Sequence, residues 1–247
     1  LSVPVSGLSY LFYDFNWITW LIINSAIGIL FLGMFITFGF AVAQQFNDMK
    51  LLALQQQVKL TKAYQRFVPK QLLEYLGKDS ILDVKLGDQV SINMSILFAD
   101  IRSFTSISEK MTPEENFKFV NSYLNNIGPL IRKNNGYIDK FMGDGVMALF
   151  RISEKDAVNA AIEMHKSLNS YNEKLKKDGK QEIKIGIGIN TGKMMLGTLG
   201  ESNRMEGSVI SDAVNIASRL ESLTKIYKSD ILISEKFEKK LKHKYLF

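Results

Sequence analysis

Two stretches of the 247-residue chain carry an apolar run into an aspartate: Ile96-Leu97-Phe98-Ala99-Asp100 and Lys140-Phe141-Met142-Gly143-Asp144. An apolar strand that stops at an acid exposes that acid at a sheet edge. Two carboxylates delivered this way by neighbouring strands suit a hard, oxygen-seeking ion such as Mg²⁺, whose other ligands are water and substrate phosphate. The pair therefore points to metal-dependent phosphoryl or nucleotidyl transfer. Taken alone, Asp144 between Gly143 and Gly145 is ordinary turn chemistry, so the spacing leaves both meanings open.

Two common nucleotide motifs fail on the residues. A phosphate loop needs Gly, four residues, then Gly-Lys-Ser/Thr, but around Gly192-Lys193 the first Gly is Ile187 and the hydroxyl is Met194. Gly186-Ile187-Gly188 lacks the third glycine of a dinucleotide fingerprint, because Thr191 stands there. The chain has no cysteine, which excludes disulfides and thiolate metal sites and fits a reducing cytoplasm. His165 and His243 are isolated and read as packing or surface residues. Lys and Arg number 31 against 25 Asp and Glu, a net +6. No Arg-rich run interleaves with aromatics, so nucleic acid is not an expected partner.

The elements that must position the acids follow from periodicity. Strands are predicted at 91–99, 182–191 and 230–234, with two β-runs around Gly143-Asp144-Gly145 within 136–150. Helices are predicted at 113–133, 154–175 and 211–223. This order fits an α+β fold, helices on a mixed or antiparallel sheet.

Ahead of these lies a different composition. No ionisable residue occurs from Phe15 to Asn47, and 17–43 is almost wholly apolar, long enough to cross a ~30 Å hydrocarbon layer. Trp17 and Trp20 suit an interface, while Lys50, Lys59, Lys62, Arg66 and Lys70 follow the span, which predicts a cytoplasmic side for everything after it. Residues 1–16 are then extracytoplasmic or interfacial. Apolar spacings of three, four and seven across 44–68 predict a short helical coiled-coil signalling linker ended by Pro69, and 69–90 leads into the domain. A first residue Leu1 predicts a piece of a longer protein with an unknown sensor upstream.

Four motifs in order resemble the catalytic domain of class III adenylate/guanylate cyclases, of the bacterial membrane-tethered adenylate cyclase type. They are Phe98-Ala99-Asp100-Ile101-Arg102-Ser103-Phe104-Thr105, Lys140-Phe141-Met142-Gly143-Asp144, Gly186-Ile187-Gly188-Ile189-Asn190-Thr191-Gly192 and Val209-Ile210-Ser211-Asp212-Ala213-Val214-Asn215-Ile216-Ala217-Ser218-Arg219. Arg66-Phe67-Val68-Pro69 and Leu86-Gly87-Asp88 are similar to the linker and start of such members. The resemblance implies a ferredoxin-like palm domain over 91–247 that works as a head-to-tail homodimer. ATP would bind between protomers and become 3′,5′-cyclic AMP and pyrophosphate with two Mg²⁺ or Mn²⁺ ions per site. It assigns Asp100, the Ile101 carbonyl and Asp144 to the metals, Asn215 to the ribose and Arg219 to the α-phosphate. Phe104, Thr105 and Arg204 would hold the terminal phosphates, and Lys140 with Ser208 would specify the base.

Two positions depart from the pattern. Ser208 stands where many members have Asp, a bacterial subgroup Thr and guanylate cyclases Cys; a hydroxyl can donate or accept and so selects the base less firmly than an acceptor-only carboxylate. The family's C-terminal β-hairpin is expected to be missing, since the sequence stops at Phe247. The rivals are a guanylate cyclase and an inactive nucleotide-sensing or dimerisation module. A diguanylate cyclase is disfavoured, because only Met142-Gly143-Asp144-Gly145 is present in place of its acidic hairpin motif.

A rigid helical linker rotates about 100° per inserted residue. Inserting one residue and seven residues within 44–68 should therefore alter cyclase activity very differently, whereas equal activity across the series would mark the stretch as a passive tether.

Overall fold

A computed structural model describes residues 6–241, and their side chains from residue 16. The first five residues of the expected 1–16 segment, and 242–247 with His243, lie outside the described residues. The chain divides into two compact units, Leu1–Tyr64 and Gln65–Phe247.

The first unit is one helix, α1 (Ser6–Tyr64). It runs unbroken through both the expected span and most of the expected linker, and it ends at Tyr64 rather than Val68. Pro69 disfavours helical backbone at the residue before it, so the chain leaves the helix in a turn ahead of it. Polar residues inside the apolar stretch bond to their own helix: Asn24 Nδ2 donates to Trp20 O at 2.8 Å, Ser25 Oγ to Leu21 O at 2.8 Å and Thr37 Oγ1 to Gly33 O at 3.0 Å. Asn16–Tyr64 is long and apolar enough to cross a membrane by length and composition.

The second unit runs α2 (Lys70–Leu76), a 3₁₀ turn at Ile81–Asp83, β1 (Gln89–Ile101), α3 (Phe104–Ser108), α4 (Pro113–Lys133), β2 (Gly136–Met142) and β3 (Gly145–Phe150). It continues through α5 (Glu154–Lys177), β4 (Ile185–Glu201), β5 (Arg204–Ile210), α6 (Asp212–Ile226), β6 (Ile231–Ile233) and α7 (Glu235–Lys240). The sheet order is β2-β3-β1-β4-β5, antiparallel throughout, with β6 parallel to β4. Both faces are covered, which explains the continuous apolar run in β1. Leu97, Ala99 and Ile101 join the core under α4 and α5, while Met94, Ile96 and Phe98 join the core under α2 and α6.

Two features differ from expectation. β4 starts at Ile185 and continues well past Thr191 to Glu201, and β5 is a strand that periodicity did not reveal. Residues 192–200 hold one apolar run, Met194-Met195-Leu196, and a lone Leu199 between glycines, without alternation, and β5 is mostly exposed, so neither carries a period-two signal.

The glycines of 186–192 form a bed for α6. A Cβ on Gly188 would overlap the backbone of Glu221 and Ala217, and one on Gly192 would come within 2.6 Å of Ala213 Cβ. Asn190 Nδ2 donates to Ala213 O at 2.9 Å and its Oδ1 accepts from Ser234 Oγ at 2.6 Å, which ties the start of α6 to β4 and the start of α7. Ser211 caps α6 by accepting from Ala213 N at 3.1 Å.

Gly188→Ala should destabilise the second unit by about 3 kcal/mol, the upper end for overpacking, because backbone rather than a flexible side chain must yield. Gly28→Ala in α1, where a Cβ meets nothing within 4 Å, should be close to neutral. Urea denaturation midpoints of the two variants decide it.

Candidate active site

The register brings the two acids together. β1 pairs with β3 through Ala99↔Val146, so the Gly143-Asp144 turn folds back over the end of β1. Gly143 has φ +66°, a conformation that favours glycine. The Ile101 N–H donates to Asp100 Oδ1 at 3.0 Å and to Asp144 Oδ2 at 3.1 Å. A Cβ on Gly145 would stand 3.5 Å from Asp100 Oδ1, so the absence of a side chain keeps the space beside that oxygen open.

Asp144 is 9% exposed. Burial, then the hydrogen bond and charge of Asp100, push its carboxyl well above the usual carboxylate range. Two carboxylates on one donor lack positive charge. Among the described residues no cluster of three or more His, Cys, Asp or Glu forms, so other coordination positions fall to backbone oxygen, water or phosphate. Such a donor set fits Mg²⁺ or Mn²⁺. Arg102 pins the end of β1 by donating from Nη2 to Ser229 O at 2.9 Å.

Immediately after the acids the chain turns through Ser103, at φ +54°, into α3, and no side chain caps that helix. Phe104 stacks on Phe119 of α4 with centroids 6.4 Å apart, which anchors the turn, while Thr105 is exposed. Uncapped N–H groups of a first helical turn are donors available to an anion.

The base-specifying candidates meet from opposite edges of the sheet. Lys140 of β2 donates to Ser208 Oγ of β5 at 3.1 Å and to Glu206 Oε1 at 3.2 Å, with Asp139 Oδ2 at 3.8 Å. The sheet must curl for its outermost strands to touch. A cavity of about 350 Å³ opens here, lined by Lys140, Leu199, Arg204, Glu206 and Ser208. Arg204 thus lies with the Lys140 and Ser208 pair, and no hydrogen bond or ion pair among the described residues ties it to the turn at Phe104 and Thr105.

Glu206 and Asp139 were not singled out from the sequence. Glu206 had a signal: it precedes Ser208 by two residues, and period two puts both on one face of a strand. Asp139 had none, because its buried position comes from a register shift between Ile138 and Lys140. Burial pushes its carboxyl up to about 6 against the pull of Lys140.

Asn215 and Arg219 sit one turn apart on the exposed face of α6. Neither side chain makes a hydrogen bond or ion pair among the described residues. Within one chain the structure therefore forms two groups, Asp100 with Asp144 and Lys140 with Ser208, and leaves Asn215 and Arg219 engaged with neither.

Comparison with known proteins identifies the family. Residues 87–247 match the model of the adenylate and guanylate cyclase catalytic domain. An adenylate cyclase of Anabaena cylindrica is 39% identical over 203 residues, 79% of this chain and 40% of that relative, so the chain spans well under half of it. Among solved structures, the adenylyl cyclase CyaB from P. aeruginosa is 34% identical with a TM-score of 0.56, covering 62% of this chain and 82% of that one. The guanylyl cyclase Cya2 is 33% identical at the same TM-score, covering 62% and 80%. With its curled antiparallel sheet and flanking helices, the chain belongs to the adenylate and guanylate cyclase catalytic-domain family.

Proposed function

We propose that the chain is a membrane-tethered adenylate cyclase that converts ATP to 3′,5′-cyclic AMP and pyrophosphate as a homodimer. The observation that carries the choice of ATP is the contact of Lys140 with Ser208. An ammonium only donates and suits adenine N1, while the Ser208 hydroxyl accepts from the 6-amino group. A second reading, GTP, is favoured by Glu206: a carboxylate in the same cavity can accept from guanine N1 and its amino group.

In the proposed mechanism Asp100, Asp144 and the Ile101 carbonyl would hold two divalent ions, which would supply positive charge against the phosphates and acidify the 3′-hydroxyl. The 3′-hydroxyl gives its proton to water as its oxygen bonds to the α-phosphorus, the bond to the β-phosphate oxygen breaks, and pyrophosphate leaves with that electron pair. Asn215 orients the ribose, and Arg219, a fixed planar donor, meets charge that grows on the α-phosphate in the transition state. Phe104, Thr105 and the turn around them hold the terminal phosphates, with Arg204 adding positive charge. Because Asn215 and Arg219 reach neither group of their own chain, the complete site combines the acids of one protomer with Lys140, Ser208, Asn215 and Arg219 of its partner. α1 crosses the bilayer through 17–43, and the catalytic unit lies on the cytoplasmic side with 44–68 as signalling linker.

Incubation of the full chain with ATP or GTP and Mn²⁺ tests the activity: cyclic AMP as main product supports the proposal, and cyclic GTP alone overturns the choice of base. Metal binding has its own readout. A carboxyl raised by folding contributes stability below the ordinary carboxylate range and loses it as pH rises, whereas a cation replaces the proton. The rise in Tm caused by Mn²⁺ should therefore be larger at pH 8 than at pH 5, and small at both in Asp144→Asn. Equal shifts at both pH values in that variant and the parent would remove the metal assignment.

The shared site is tested by complementation. Asp100→Ala and Arg219→Ala homodimers should both be severely impaired, the second by ~10²–10³-fold. Co-expressed, random pairing makes half the dimers mixed, each with one intact site, so activity should recover to roughly a quarter of wild type. A mixture no more active than its parts, with mixed dimers confirmed by tag pull-down, would exclude the shared arrangement.

A further inference from the structure

The short helix α2 touches both strands that carry the base-specifying pair. Leu72, 5% exposed, occupies the space beside Gly207 of β5, where a Cβ would overlap Leu72 Cδ2. Gly207 has no positive φ, so what forbids a side chain there is Leu72 rather than backbone strain. One turn further on, the Tyr75 ring lies 5.8 Å from the Tyr137 ring of β2, and the Arg151 guanidinium sits 4.9 Å over the Tyr75 centroid. Gly207 immediately precedes Ser208, and Tyr137 lies on the same strand as Lys140, ahead of the register shift between Ile138 and Lys140. Alternation along β5 puts Gly207 on the opposite face from Glu206 and Ser208, so Leu72 presses on the strand from behind the cavity.

The two ends of α2 are held differently. At its C-terminal end Gly77 takes a left-handed cap, and Lys78 Nζ pairs with Asp88 Oδ2 at 3.0 Å, which fastens the helix to the start of β1. At its N-terminal end 65–69 border a cavity of about 740 Å³ lined also by Asp139, Lys140, Met205 and Gly207. The C-terminal end is anchored by an ion pair, whereas the chain entering the N-terminal end borders open space.

We infer that Leu72 is a positioning residue for nucleotide selection: seated at Gly207, it sets the separation of β2 and β5 and hence the Lys140 to Ser208 contact. The inference rests on the proposal that Lys140 and Ser208 read the base. Displacement of α2 by the segment before it then changes which nucleotide is accepted, and not only how fast it reacts.

The test is steady-state kinetics of the full chain with ATP and GTP for Leu72→Ala, Gly207→Ala, the pair together, and Lys140→Glu with Ser208→Cys. Leu72→Ala empties the space and Gly207→Ala overfills it, so each alone should raise KM for ATP and lower the ATP:GTP ratio of kcat/KM by about tenfold. A displacement near 1 Å is enough for that, since such shifts cost up to ~10²-fold. The double variant refits a smaller side chain to a larger strand and should return to within about threefold of wild type. Loss of kcat with unchanged KM and ratio in both single variants would mean only less folded enzyme and overturns the inference, as does a double variant worse than either single. If Leu72→Ala does not fold, Gly207→Ala, which keeps Leu72, decides alone. Lys140→Glu with Ser208→Cys separates the two levels. A ratio unmoved by that pair overturns the base assignment and the inference with it. A ratio moved by that pair but not by Leu72→Ala or Gly207→Ala overturns the inference alone.

Discussion

The constraint on which the domain turns is a single backbone N–H, that of Ile101, shared by two carboxylates. Like charges held at one donor are unfavourable, and burial of Asp144 makes them more so. Removing either acid would relieve the folded state, so stability gives no reason to bring them together. What holds them is the antiparallel register of β1 with β3 on one side and β4 on the other, closed by a glycine turn. A buried carboxyl raised as that of Asp144 is belongs to the kind of group that clusters at functional sites, and in the proposed function a divalent cation would turn the same geometry from repulsive to attractive.

The remaining machinery depends on β4. Its glycines let α6 lie against the sheet backbone, which fixes the outward face bearing Asn215 and Arg219. Its far half pairs with β5 and carries that strand around to the opposite edge, where Ser208 meets Lys140. One long strand thus serves two positions in the sheet: a close-packed floor for a helix near Gly188 and an exposed arm near Gly200. Gly186, Gly188 and Gly192, which fit neither a phosphate loop nor a dinucleotide fingerprint, are explained by the first task, since their missing side chains admit α6.

Much of this was legible because burial writes a period into the sequence. Ile183, Ile185, Ile187 and Ile189 alternate and are all buried, and 113–133 carries its capping Thr112, its Pro113 and its apolar stripe within one local stretch. The Asp100 candidate was legible for the same reason, at the end of the buried run Ile96-Leu97-Phe98-Ala99, whereas Phe141 and Met142 ahead of Asp144 are exposed and only its glycine turn marked it. The arm of β4 and β5 was not, because exposed edge strands have no core to impose alternation. Glu206 escaped because its partner Lys140 lies 66 positions away in sequence and contacts it only through the curl of the sheet. The boundary at Val68 was misplaced because apolar spacing continues past Tyr64 while the backbone already answers to Pro69.

In the proposed shared site, activity would depend on how two chains face each other. That is a control point only if something rigid can set the facing angle. α1 continues without a break from Ser6 to Tyr64, through the apolar stretch and into the Lys- and Gln-rich region after it. An unbroken helix transmits rotation about its axis, because its i to i−4 bonds resist twisting and no glycine or proline interrupts residues 40–64. The turn at 65–68 is the first place where that rotation can become something else, and α2, fastened to β1 at one end and seated on β2 and β5, is the first element to receive it. In the proposed dimer a signal arriving along α1 therefore has two separable effects: the facing of the two protomers, which governs whether a complete site exists, and the seating of α2, which governs what that site accepts.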